Sequence, residues 1–375
     1  MKMIPRFYYT FPFRFYIGAL LFKSKSSSHL LGDKNFYYTN RARTGLRVLL
    51  SSISNKRLRV GVQVFTCHTI FQAIKKAGHE IVFLDITNEF KLDLDYLRNK
   101  KDEIDVLIIT HTFGYSDRFE EIKNLIGEEK IIIEDCAHAY LSKYKGSLCG
   151  TLGDASILSF GLGKFPPIGV GGGVIINTPE KFPSFIDVYN SLKKECFFRG
   201  LVDWVKLLVY SVIMKRPLYG IFTRRLGKLL DKKIDFADKY SFKESRGNSL
   251  GLKLLNYSNL YSTNLLENNK RNLNLFYENY YSNDFEVSDD ENAYVFSLLL
   301  EERDKIYNYL ISNGVEAGKH FERSLIWARD FGYENSCPCA ETITNKILTI
   351  PLHKSVHKKE VIKVANLLTE ISKRK

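Results

Sequence analysis

KIIIEDCAHAYLSKYKGSLCGTLGDASILSFGLGK, residues 130–164, contains two short apolar runs, each of which ends on a residue too polar for a strand core. Ile131-Ile132-Ile133 is continuous rather than alternating, the pattern of a strand covered on both faces, and it delivers Asp135 at its carboxyl end. Ala155 to Ser159 reads as another strand and runs into Phe160-Gly161-Leu162-Gly163-Lys164. A carboxylate at the end of a buried strand is costly unless a cation meets it. Taken alone, Asp135 reads more readily as a cap on the following turn. The glycines before Lys164 bring the backbone close to something bulky and leave the amine on a loop. A lysine partly desolvated there, beside a cationic ring, gives up its proton and can attack an aldehyde.

Working outward, RLRVGVQV (57–64), EIVFLDI (80–86), DVLIITHTFG (105–114) and GGGVIIN (171–177) read as strands. Between them TIFQAIKKAG (69–78), LDLDYLRNKKD (92–102) and EEIKNLIGEE (120–129) read as helices. Strand and helix alternating at this pace implies an α/β fold with a mainly parallel sheet. Ligands of such sheets collect beyond the carboxyl ends of strands, where Asp135 and His111 stand. Neither a nucleotide phosphate loop nor a dinucleotide fingerprint fits: Phe165 follows Gly163-Lys164 where Ser or Thr is required, and Gly169 to Gly173 reads as a turn.

Residues 191–249 break the rhythm with basic amphipathic sequence, including KRPLYGIFTRRLGKLLDKK (215–233). A long helix is expected over 252–280. From about 293 the order is strand, helix (302–314), strand, loop, strand (346–352) and helix (358–372). The chain therefore divides into a large cofactor-binding domain with an N-terminal segment (1–190), a basic helical insertion (191–250), and an interdomain helix with a small C-terminal α+β domain (251–375).

Lys and Arg number 55 against 42 Asp and Glu, a net charge of +13. That excess suits a phosphorylated ligand, but no basic tail, zinc-finger spacing or RNA-binding signature supports nucleic acid. Six scattered cysteines in so long a chain are no disulfide framework, and a cytoplasmic, reducing setting is the simpler reading. Cys337-Pro338-Cys339 has the wrong spacing for a metal pair, so no metal is expected. The apolar stretches 11–22 and 201–214 are interrupted by Arg14 and by Asp203 and Lys206, and both fall short of the ~20 residues that span a bilayer. The insertion around 195–235 reads either as a peripheral membrane contact or as cover for the core or a partner subunit, the second being favoured.

EDCAHAYLSKYKGSLCGTLGDASILSFGLGK followed by GVGGGVIIN resembles the core signature of the DegT/StrS family of nucleotide-sugar aminotransferases, fold-type I pyridoxal-phosphate enzymes. VFTCHTIFQAIKKAGHEIVFLDI, THTFGYSDRFEEI, GVEAGKHFERSL and ILTIPLHKSV carry the resemblance over most of the chain outside about 190–250. It implies that Lys164 holds the cofactor as a Schiff base and moves protons, and that Asp135 pairs with the pyridine nitrogen. His138 stands near the cofactor's hydroxyl, and Ser159 holds phosphate. Arg43 and Thr44 fall in the phosphate turn that opens a helix, a setting suited to a dianion. His320, and His111 by its position, are substrate-side residues.

The sequence also departs from the family. Ala42-Arg43-Thr44 replaces the usual small-residue phosphate turn. Cys67 stands where relatives stack an aromatic, leaving Phe65 or His68 to substitute. ESRGNSLGLKLLN (244–256) occupies the place of a segment that crosses to the neighbouring subunit. The resemblance implies transamination of a nucleotide-linked keto-sugar with glutamate as donor, for amino-sugar or surface-polysaccharide synthesis, by a homodimer. The alternatives are a sugar dehydratase of the same fold, in which histidine replaces the lysine, and a non-catalytic scaffold.

Overall fold

The apolar runs pair into one seven-stranded sheet whose middle carries the two polar strand ends. In a computed structural model describing residues 3–22, 35–216, 218–220, 242–281 and 287–373, its strands are β1 (Asn35–Thr39), β2 (Arg59–Gln63), β3 (Glu80–Leu84), β4 (Val106–Thr110) and β5 (Ile131–Asp135). A two-stranded hairpin, β6 (Lys143–Tyr144) and β7 (Ser147–Leu148), precedes β8 (Ala155–Ser159) and β9 (Gly172–Ile176). The sheet order is β1-β9-β8-β5-β4-β2-β3. The run from β8 to β3 is parallel, while β9 pairs antiparallel with both β8 and β1. Every residue of β4 is buried, as its unbroken VLIIT predicts.

The glycines of β9 are required by close approach. A Cβ on Gly172 would lie 2.2 Å from the Ala42 nitrogen, and one on Gly173 would lie 2.2 Å from the Phe36 ring. The helix Ala42–Ile53 therefore starts directly against the sheet, next to the residue that pairs with Ser159.

The helix Ser249–Tyr280 is capped by Asn248, whose side chain accepts from the Gly251 N–H. It leads to a second apolar cluster built around Phe276, Leu310, Leu348, Val361 and Leu368. There β10 (Phe296–Leu299) and β11 (Ile347–Ile350) pair antiparallel beneath the helices Arg303–Ser312 and Lys358–Lys373. The strand expected after 314 is not formed. Single bridges join Ile4 to Val315 and Gly318 to Thr349, and the helices Ser324–Arg329 and Pro338–Lys346 follow. Aspartate 85, at the end of β3, accepts at 2.9 Å from both the Cys339 and Ala340 N–H groups, supplying partners to the start of the second of these helices.

Within the insertion, Phe197–Ile213 is one helix, and residues 221–241 lie outside the described residues, including most of the basic run 215–233. This helix docks by Gly200, Leu207 and Ser211 and by a Trp204 Nε1 bond to the Tyr16 carbonyl at 3.2 Å. Covering the core accounts for only that face.

Candidate functional site

Residues Thr110 and Asp135 are register partners at the carboxyl ends of β4 and β5. Asp135 is buried, and its Oδ1 accepts from the Ala137 N–H at 3.0 Å. Burial pushes its carboxyl above the ordinary aspartate range, against that bond and the opposing influence of Lys164 and His111. Burial likewise pushes the Lys164 amine down, against the pull of Cys67 and Asp135. Each group is thus inside the other's field, and each is short of the counter-charge that would restore its normal protonation.

Histidine 138 lies on the loop three residues beyond Asp135. Its Nδ1 accepts from the Phe113 N–H at 3.3 Å, which leaves Nε2 as the protonated nitrogen of the neutral ring. The ring is nearly parallel to those of Phe113 and Phe321, with centroids at 5.9 and 5.7 Å, and these two rings lie 6.0 Å from each other, so the three form one cluster. His320 meets it edge-on at 5.2 Å. Burial, then the neighbouring Lys164 and His320, hold His138 well below the usual imidazole range. Burial, Arg6 and Lys164 do the same to His320, whose Nδ1 is buried without a hydrogen-bond partner among the described residues.

On the phosphate side, Ser159 pairs with Gly172, and the start of the helix Ala42–Ile53 lies against that glycine. The first backbone N–H groups of a helix have no carbonyl partner within it. Arg43 reaches across to Gln72 Oε1 at 3.0 Å and over the Phe242 ring at 4.9 Å, and its Nε is buried without a hydrogen-bond partner among the described residues. Thr44 is fully buried and its Oγ1 donates to Asn40 Oδ1 at 2.7 Å, so its side chain serves the turn itself.

His111 is not turned toward this space. It is fully buried, its Nδ1 accepts from the Asp117 N–H at 3.1 Å, and its Nε2 donates to Glu134 Oε2 at 2.9 Å. Glu134 also accepts from the Gly150, Leu152 and Gly153 N–H groups. Both ring nitrogens of His111 are spent on this internal network, which corrects the substrate-side reading. His111, Glu134 and Cys136 are close enough together to suggest a metal, but the network already occupies the first two.

Phe65 is also fully buried, enclosed by Phe90, Phe113 and Phe321, and offers no open ring face. His68 is half-buried with its ring 4.9 Å from Trp327. Beside them Cys67 accepts from Thr69 Oγ1 at 3.2 Å. Burial alone would raise its thiol, but His68 and Thr69 outweigh burial and bring it down to about 7. The segment 244–248 is held within its own chain: Glu244 by Arg47 and Lys76, Arg246 by Leu192 and Asn190, Asn248 by Glu195.

Two groups around Lys164 escape sequence reasoning. The N-terminal segment crosses its loop, and a Cβ on Gly163 would lie 3.3 Å from Phe7 and 3.7 Å from Tyr9. Asn292 donates to the His138 and Tyr140 carbonyls at 2.7 and 3.1 Å, and its Oδ1 accepts from the Tyr294 N–H at 3.0 Å. No local pattern marks either, because both depend on long-range packing.

A model of the DegT/DnrJ/EryC1/StrS aminotransferase family matches residues 25–187 and 259–369. GDP-perosamine synthase of Escherichia coli O157:H7 is 35% identical over 108 residues, 28% of this chain and 30% of the relative. A Campylobacter jejuni UDP-4-amino-4,6-dideoxy-N-acetyl-beta-L-altrosamine transaminase is 31% identical over 156 residues, 40% of this chain and 41% of the relative. The matched stretches thus span less than half of each of these curated relatives. Among solved structures, a Streptococcus pneumoniae protein described as a sugar aminotransferase, in its PMP-form, superposes with TM-score 0.75 at 16% identity, covering 99% of both chains. Helicobacter pylori PseC, an aminotransferase of pseudoaminic acid biosynthesis, gives 0.73 at 16% identity, covering 99% of this chain and all (100%) of the other. These two share the fold, and the Streptococcus pneumoniae protein is also solved in a PLP-form.

Proposed function

Because the chain belongs to the DegT/DnrJ/EryC1/StrS aminotransferase family, we propose that it is a pyridoxal-phosphate-dependent aminotransferase acting on a nucleotide-linked keto-sugar, with glutamate as amino donor. The observation that carries this reading is the meeting of Lys164 and Asp135 in one buried space, each displaced from its ordinary protonation by burial.

The residues present fit the cofactor. Asp135 needs a cation that the chain does not itself fully supply, and a protonated pyridine nitrogen is one. The amides opening the helix Ala42–Ile53, with Ser159 alongside and the Arg43 Nε that has no partner among the described residues, form a setting for a phosphate. Pyridoxal phosphate, when bound, supplies an aldehyde carbon and an electron-withdrawing ring. Lys164 Nζ, kept toward neutrality by burial, is the group that holds that aldehyde and takes and returns a proton at the substrate carbon. The Asp135 carboxylate holds negative charge at the ring nitrogen. His138 presents its Nε2–H, fixed in direction by the Phe113 bond, toward an acceptor. His320 has a buried nitrogen in need of a partner, which a sugar hydroxyl supplies. The rings of Phe7, Phe113 and Phe321 exclude water around both histidines.

Names of the curated relatives support a nucleotide-sugar substrate and a place in amino-sugar or surface-polysaccharide synthesis. Lys164 weighs against dehydration, the branch in which histidine takes its place, and the gathering of the polar groups weighs against a non-catalytic scaffold. All six cysteines are free thiols, which supports a cytoplasmic setting. The family's habit of building sites between subunits supports a homodimer. A division into 1–190, 191–250 and 251–375 is part of this reading; the second apolar cluster, drawn from residues 273–371 with Ile4, supports its C-terminal unit, while the main cluster draws on all three segments.

The test is spectroscopic and then catalytic. The purified chain given pyridoxal phosphate should gain an absorbance band near the visible edge that borohydride bleaches, leaving a reduced adduct that mass spectrometry maps to Lys164. Lys164→Ala should show neither band nor adduct. A panel of nucleotide keto-sugars with glutamate then identifies the substrate. A folded protein that stays colourless with added cofactor overturns the proposal.

A further inference from the structure

The helix Phe197–Ile213 is apolar on two opposite sides, and among the described residues only one of them docks on the protein. At 3.6 residues per turn, Gly200, Trp204, Leu207 and Ser211 form one stripe, which docks on the protein. Leu207 packs so closely on the turn after Lys164 that a Cβ on Gly169 would lie 2.4 Å from its Cδ2. Phe198, Leu201, Val205, Val209 and Val212 fall on a second stripe, well over 90° around the helix axis, and all five are exposed. Phe197 adds to it at the helix start. The adjoining helix Phe13–Leu21 repeats the pattern, with Phe13, Ile17 and Leu21 exposed at intervals of one turn. Phe198 is 70% exposed and Leu21 78%, too much for side chains that merely edge a core. A run of adjacent exposed apolar side chains marks an interaction surface rather than ordinary solvent-facing residues.

We propose that this pair of helices is a docking surface for an anionic lipid bilayer. Charge selects that occupant. Arg14, Arg199, Lys206 and Lys215 accompany the exposed stripes, and the acid among them, Asp203, is shared between Arg199 at 3.6 Å and Lys206 at 3.8 Å. The whole chain carries +13. A second copy brought face to face would set cations against cations, whereas an anionic headgroup layer neutralises them while its acyl boundary takes the phenylalanines. The contact is peripheral, since no helix among the described residues is long and apolar enough to cross a membrane. It also lies just across one helix from the Lys164 loop.

Flotation of the full chain with vesicles tests this independently of any cofactor or substrate. With equal parts phosphatidylglycerol and phosphatidylcholine the protein should float, and with phosphatidylcholine alone it should stay in the dense fraction. Phe198→Asp with Val205→Asp should weaken binding by on the order of ten-fold or more, with the near-ultraviolet circular dichroism unchanged because both positions face solvent. Lys206→Glu with Lys215→Glu should weaken it on the order of ten-fold. Failure of the unmodified protein to float overturns the proposal, as does undiminished flotation of the Asp variant. A dimer in sedimentation that this variant converts to a monomer would assign the stripe to a second copy and also overturn it.

Discussion

Glu134 and Asp135 are consecutive in β5 and point to opposite sides of the sheet, and their surroundings could hardly differ more. Under the sheet Glu134 receives three backbone N–H groups and the His111 ring, which leaves neither oxygen wanting. Above it Asp135 receives one N–H, and the groups near it, Lys164, His138 and His320, are all pushed away from their ordinary protonation by burial. The difference teaches how burial is used. The same loss of water is compensated on one side, where it fixes the strand, and left partly uncompensated on the other, where a ligand can complete it.

Removing Lys164 should break the upper side most completely. Lys164→Ala is expected to lower transamination by roughly 10³-fold or more while the unfolding midpoint in urea is nearly unchanged. Asp135→Asn should lower turnover on the order of 10²-fold and leave stability equal or raised, because the carboxylate costs the empty protein energy. Glu134→Gln should do the reverse, costing about 3 kcal/mol in urea unfolding by leaving buried donors without acceptors. A Glu134 variant as stable as the parent, or an Asp135 variant that unfolds easily, would reverse the assignment of the two sides.

The pH dependence sharpens the contrast. An unfolded histidine takes up a proton near pH 6.5, while His138 in the folded chain does not. The unfolded state therefore binds more protons, and stability should fall as pH drops below about 6.5, by up to ~1.4 kcal/mol per pH unit from His138. His138→Gln should reduce that slope in chemical denaturation at pH 5 to 7, with the like contributions of His320 and His353 remaining. Asp135 acts with the opposite sign: its folded carboxyl keeps its proton longer than the unfolded one, so its contribution is lost as pH rises through the folded value. The smallest expected effect is chemical. With its thiol near 7, Cys67 should be alkylated by iodoacetamide at pH 7 ahead of the buried Cys136 and Cys149, whose thiols burial pushes up. Added pyridoxal phosphate should slow the reaction at Cys67 alone.

The upper side was legible in the sequence because its two central residues lie within one 35-residue stretch, each just after a continuous apolar run. The central parallel strands were legible for the same reason. β1, NFYYT, was not, since its aromatic residues alternate in no clear way and it owes its place to the side-chain-free surface of β9. His111 was placed correctly at a strand end, but the sequence does not show which way the ring turns, and Glu134 claims it from below. Phe321, Phe7 and Asn292 come from distant parts of the chain, and nothing local announces where they meet His138 and Lys164.

Asn292 has a consequence for motion. Its amide grips the two carbonyls of the His138 loop from the C-terminal side, Asp85 holds the helix Pro338–Lys346 from the other direction, and His353 reaches the Pro5 carbonyl at 2.8 Å. An enzyme that shuts like a jaw over its substrate needs slack at the joint, and here three separate clasps take the slack up. The segments that carry the site are thus tied together before any ligand arrives, and on the proposed function the choice of substrate rests on groups already held in place. Small-angle scattering should find the same overall dimensions before and after the substrate enters.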